Sequence, residues 1–139
     1  MKRFFLIMII FAIFLNANEE NSSKFKINEL IILPAIGKII KENVEELAIT
    51  KEQQEKISKE IKQVYSPKFQ DLIRQAFTIE KKVQKKVIKG ATPIELKDDL
   101  DEIARLKRES INLKIEAVNE FQKILTKEQW KKIIELSNS

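Results

Sequence analysis

The sequence predicts an all-α protein with almost no β structure. Apolar residues recur at three- and four-residue steps along most of its 139 residues. The same helix-start signature occurs twice, ITKEQ at 49–53 and LTKEQ at 125–129, and only two glycines and three prolines interrupt the pattern. The expected layout is four helices, two short and two long, with the long pair forming an antiparallel hairpin across a short connection.

The chain opens on Met1-Lys2-Arg3, then runs through twelve apolar residues without a charge, Phe4 to Leu15. As a helix that run is roughly 18 Å long, short of the ~30 Å hydrocarbon core of a bilayer. Residues 1–17 therefore read as a secretory signal peptide cut near Ala17, although Leu15 stands where a small residue is usual; an uncleaved anchor is the alternative. With no cysteine, neither a lipoprotein anchor nor a disulfide is available. Residues 18–33 start with the polar NEENSSKFKINE and read as a flexible leader. The helical domain is expected over 34–136, with a tail at 137–139.

The first helix is expected from around Pro34, a residue suited to a first turn. Ile36, Ile39, Ile40, Val44 and Leu47 form its apolar stripe. Thr50 then begins a capping box: its hydroxyl accepts from the third helical N–H, and Gln53 reaches back to the cap. Glu52 lies in the first turn, where the helix dipole favours negative charge. The long helix that follows carries Ile57, Ile61, Val64, Phe69, Leu72, Ala76, Ile79, Val83 and Val87 on one side. The pattern keeps phase through Pro67, which reads as a kink or short break between collinear segments.

Gly90 is expected to end this helix as a left-handed cap. Thr92, Pro93 and Glu95 give a further start signal, so the next helix is expected from Pro93 to Ile124. In the last pentapeptide Thr126 caps, Gln129 closes the box, and Trp130 is spaced to pack on Leu125. A short helix to Leu136 completes the domain.

Composition excludes several chemistries. The chain has no His or Cys, and both methionines, Met1 and Met8, fall in the expected signal peptide. That removes thiol chemistry, the commonest general base, and the ligands preferred by zinc, copper or nickel. Asp98, Asp99, Asp101 and Glu102 cluster, but without the glycine-containing spacing of a calcium loop and inside a helical pattern; a solvated helix face is the better reading. Gly37 and Gly90 are isolated, which excludes glycine-rich nucleotide loops. Neither catalysis nor a cofactor is expected. Without Lys2 and Arg3 the chain keeps 24 basic residues against 21 acidic ones, too small an excess to suggest nucleic acid.

Projected at ~100° per residue, the apolar positions from Phe69 to Ile88 cover roughly 180°. Those from Leu100 to Leu125 cover about 200° on the same projection. The back of the first long helix is basic, with Lys68, Arg74, Lys81, Lys82, Lys85, Lys86 and Lys89 against Asp71. The back of the second carries Asp98, Glu102, Glu109, Glu116 and Glu120. Arcs so wide exceed what one small subunit readily buries, unless the two short helices cover them. Either two subunits clasp, or apolar surface stays open to a partner. Phe69, Ile73, Phe77, Lys81, Lys82, Lys85 and Lys86 are the candidate residues for binding such a partner.

Two Leu-Thr-x-x-Gln helix starts about 75 residues apart, behind a signal peptide, resemble the Spy/CpxP family of LTXXQ-motif proteins. The matching residues are Ile49-Thr50-Lys51-Glu52-Gln53, with Ile in place of Leu, and Leu125-Thr126-Lys127-Glu128-Gln129. The likeness extends from about Pro34 to Leu136. It implies a cradle-like, intertwined antiparallel homodimer in the periplasm, with structural roles for Thr50, Gln53, Thr126 and Gln129. It further implies an ATP-independent chaperone that holds unfolded or partly folded envelope proteins on a concave surface. The alternative within the family is an envelope-stress regulator that binds the sensor domain of a histidine kinase. A metal-responsive branch uses His, Met or Cys ligands; here a metal role would have to rest on carboxylates alone.

Overall fold

A computed structural model describes residues 33–139. The expected signal peptide, and the expected leader except Leu33, lie outside the described residues. Within them every regular element is helical and there is no strand, as the periodicity predicts. Helix α1 spans Ile36–Glu42, α2 Lys51–Lys56, α3 Gln63–Ile88, α4 Lys97–Ile124 and α5 Lys127–Ser137. A π-helical turn, Ile57–Lys62, joins α2 to α3, so the described residues form four helices, two of them long. The chain divides into two compact units, residues 33–55 with 121–139, and residues 56–120.

In the first unit α1 packs against α5. Its interior holds Ile36, Ile40, Leu47, Ile49, Phe121, Leu125 and Ile133, with Ile40 and Ile133 almost wholly buried. Each such aliphatic side chain contributes about 1.5–3 kcal/mol of hydrophobic stabilisation. Gly37 lies close to Phe121: a Cβ there would meet the ring at 3.6 Å, an ordinary contact distance.

The first helix is shorter than its apolar stripe suggests. It stops at Glu42, because Asn43 leaves helical geometry (φ −130°) and its side-chain amide donates to the Ile39 carbonyl at 2.9 Å. Val44 and Leu47 therefore belong to a separate turn. That turn ends with the Ile49 N–H on the Val44 carbonyl (3.1 Å) and the Ala48 N–H on the Glu45 carbonyl (3.1 Å). This is the paired bonding of a Schellman cap, with Ala48 at φ +50° in the position usually held by glycine.

In the second unit Leu72, Ile73 and Ala76 of α3 are buried, as are Ile57 and Ile61 of the π turn and Leu96, Leu106 and Ile111 beyond it. The one buried hydroxyl in this set, Ser110, donates to the Leu106 carbonyl at 2.8 Å. α3 runs through Pro67 without the short break that was one of the two expected readings. The irregularity lies upstream, where the Gln63 N–H reaches back five residues to the Ser58 carbonyl. The wide register thus ends on the residue whose carbonyl the Pro67 ring would otherwise crowd.

The end of α3 follows the sequence reading. The Gly90 N–H donates to Val87 (2.9 Å) and the Ala91 N–H to Lys86 (3.0 Å), with Gly90 at φ +93°. These bonds form a second Schellman cap, this one on glycine. The next α-helix begins at Lys97 rather than Pro93. Residues 93–96 form tight turns, with the Leu96 N–H on Pro93 (3.2 Å) and the Lys97 N–H on Ile94 (3.3 Å). Glu95 accepts from the Thr92 N–H at 2.7 Å, but the Thr92 hydroxyl also donates to that carboxylate, at 3.2 Å. A hydroxyl turned onto the carboxylate leaves the reciprocal box incomplete, and the α-helix starts late.

Candidate functional site

The two repeated pentapeptides meet in the first unit. In each, the Thr hydroxyl accepts from the Gln backbone N–H, Gln53 onto Thr50 and Gln129 onto Thr126, both at 3.1 Å. Each Gln side-chain oxygen accepts from its own Thr N–H, at 3.0 and 2.9 Å. Both capping boxes are thus complete. The side-chain nitrogens then cross over. Gln53 Nε2 donates to Gln129 Oε1 (2.8 Å) and to the Ile124 carbonyl (3.2 Å). Gln129 Nε2 donates to Gln53 Oε1 (3.1 Å) and to the Ala48 and Leu47 carbonyls (3.2 and 3.0 Å).

The arrangement has a local two-fold character. Each glutamine grips the backbone carbonyl two residues before the other's capping threonine, Ala48 or Ile124. The partners also fix both amide orientations, since only an oxygen can accept from the Thr N–H and only a nitrogen can donate to the carbonyls. The motif therefore joins two remote helix starts, which its sequence spacing did not disclose. Nothing in it is reactive.

The other candidate residues lie on α3 in the second unit. Phe77, Thr78, Lys81, Lys82, Lys85, Lys86 and Lys89 line an open groove of about 510 Å³. Their spacing of four, with flanking neighbours, puts them on one helix face. The lysines are not equivalent. Lys81 Nζ lies 4.4 Å from the Phe77 ring centre, a cation–π contact. Lys82 and Lys86 both bind Asp99, at 2.9 and 2.7 Å. Those bonds, Lys86 first and Lys82 second, hold the Asp99 carboxyl below its usual range. Lys85 and Lys89 make no ion pair among the described residues.

The remaining candidates are less open. Ile73 is only 6% exposed and belongs to the interior, so it presents no face to a partner; its register puts it beside Leu72 and Ala76 in the buried stripe. Phe69 is half-buried, and Lys114 Nζ lies 5.1 Å from its ring centre. Burial lowers the Lys114 ammonium from its ordinary value. The acidic cluster is dispersed by its own ion pairs: Asp99 to the α3 lysines, Asp101 to Lys97, and Glu102 to Arg105. Among the described residues no three His, Cys, Asp or Glu side chains converge as metal ligands, and no helix is long and apolar enough to cross a membrane.

Two features escape the periodicity. Asp99 as the shared partner of two lysines depends on contact across a turn, which helix projection does not address. Exposed Val87, Ile88 and Ile94 around that turn are a second. Their only sequence signal is that they stand among breakers, in KVIKGATPIE, where a buried stripe cannot continue. No protein-family model, curated protein or solved structure matches this chain.

Proposed function

We propose that this chain is an exported, ATP-independent holdase of the Spy/CpxP kind, released by cleavage near Ala17 and acting in the periplasm as a homodimer. Unfolded or partly folded envelope proteins bind to the basic and apolar face of α3. In this reading α3 and α4 pair as an antiparallel hairpin. Supporting it, Lys82 and Lys86 late in α3 reach Asp99 early in α4, while Lys114 late in α4 covers Phe69 early in α3.

The groove beside Phe77 is the observation that carries the proposal. It combines an aromatic ring with lysines, two of them without ion pairs, and needs no nucleotide or metal to attract an unfolded chain. Unfolded segments offer apolar side chains and carboxylates together, and a surface of this composition engages both. Val64, Leu100 and Ile115 are also left exposed, in keeping with apolar arcs too wide for one subunit.

Diluting a chemically unfolded substrate into the purified protein and following light scattering tests the proposal. Suppression at a several-fold excess is expected, weakened by Lys85→Glu with Lys89→Glu; no suppression overturns it. Crosslinking in the envelope separates the sensor-kinase alternative. Many unrelated partners support the holdase, and a single dominant membrane partner supports regulation.

A further inference from the structure

The turn between α3 and α4 exposes aliphatic residues that the holdase reading does not use. Ile88 and Ile94 are 86% and 87% exposed, and Val87 is 52% exposed. Between Lys81 and Ile94 every charged residue is a lysine. Space is open at Gly90: a Cβ added there would meet no atom within 4 Å. Part of the turn's backbone is already paired: the Schellman bonds occupy the Lys86 and Val87 carbonyls, and Glu95 takes the Thr92 N–H.

We propose that this turn is a membrane-docking element, inserting Val87, Ile88 and Ile94 into the interface of an anionic bilayer while Lys85 and Lys89 meet the lipid phosphates. Exposed aliphatic side chains beside lysines match a layered partner, apolar beneath and negatively charged at the surface. A peptide client has the groove beside Phe77 to occupy, whereas Ile88 and Ile94 lie outside its lining. A second copy is equally poorly matched. Three aliphatic side chains fall well short of the ~800 Å² that each partner contributes to a stable interface. Glu95 opposes docking, since its carboxylate sits at the turn and is held ionised by Thr92. Its removal therefore strengthens the interaction. The inference stands apart from the holdase reading, because vesicle binding requires no unfolded client.

The chain has no cysteine, so Ala91→Cys gives a single attachment point for an environment-sensitive dye on the turn itself. A blue shift is expected with phosphatidylglycerol vesicles and a much smaller one with phosphatidylcholine vesicles. Ile88→Ser with Ile94→Ser, both surface changes, should weaken binding about tenfold or more. Glu95→Gln should tighten it, and raised salt should loosen it. No shift with anionic vesicles overturns the proposal, as does an equal shift with neutral ones. A shift given by an unfolded acidic protein but not by vesicles assigns the turn to clients and overturns it. A shift that depends on protein concentration without lipid assigns it to a second copy, with the same consequence.

Discussion

Gln53 and Gln129, 76 residues apart in sequence, donate to one another in both directions, at 2.8 and 3.1 Å. Each also completes its own helix cap and holds a carbonyl of the opposite segment. The pair therefore acts as a unit. Gln53→Ala or Gln129→Ala strands several donors and acceptors at once and should cost about 1–3 kcal/mol each. The double variant should lose less than the sum, with a coupling of about 1 kcal/mol or more in urea denaturation. Additive losses would show that the crossed amides contribute nothing beyond their separate caps.

Gln129→Glu puts a carboxylate against the Leu47 and Ala48 carbonyls, where the amide nitrogen donates. The ionised form has no proton for them, so the new carboxyl titrates above its unfolded value. A raised acid is stabilising below its unfolded pKa, and that contribution is lost as pH rises through the folded one. The deficit against the parent protein should therefore shrink on acidification and widen toward neutrality. Denaturation midpoints at several pH values test this, and a pH-independent deficit contradicts it.

The two Schellman caps offer a matched comparison. Ala48 holds a positive φ that favours glycine, while Gly90 supplies glycine where it is favoured. Ala48→Gly should stabilise the protein by about 0.5–1 kcal/mol, and Gly90→Ala should destabilise it by about 1 kcal/mol. Open space around Gly90 makes the second effect conformational and not steric. Thermal or urea unfolding of both variants reads the signs directly.

Asp99 and Glu95 are both held below their ordinary range, Asp99 by bonds from Lys86 and then Lys82, Glu95 by the Thr92 N–H and then its hydroxyl. A depressed acid contributes stability above its unfolded pKa and loses it as pH falls through the folded one. The acid limb below about pH 4 should therefore carry both groups. Asp99→Asn removes one, so the gap between variant and parent should narrow as pH falls. A gap that stays constant to low pH would mean that the lysine pairs contribute no stability.

Much of the fold was legible because helix starts and stops have local causes. Thr50, Thr126 and Gly90 each announce their role within three or four residues, and the apolar stripes set the two long helices. The misreadings occurred where local rules compete. Asn43 breaks a stripe that Val44 and Leu47 continue in sequence, Thr92 turns its hydroxyl onto Glu95, and Pro67 follows a π turn that periodicity cannot register. The candidate site was legible in part. The α3 lysines share the expected face, yet Ile73 falls on the buried side and Asp99 takes up two of the charges, and both outcomes depend on tertiary packing. The meeting of Gln53 with Gln129 left no local trace except the repetition itself.

The crossed glutamines also impose an order of assembly. Gln53 leaves the ribosome 76 residues ahead of Gln129, and the whole of residues 56–120 emerges between them. During that interval Gln53 can cap its own helix but has no opposite carbonyl or amide to hold. The contiguous unit can complete itself as it is made, whereas the split one must wait for Thr126 and the helix beyond it. A nascent chain stopped before that point would carry one finished unit and one open seam lined by Ile36, Ile40, Leu47 and Ile49, so protease sensitivity along 33–55 should fall abruptly once the second pentapeptide has emerged.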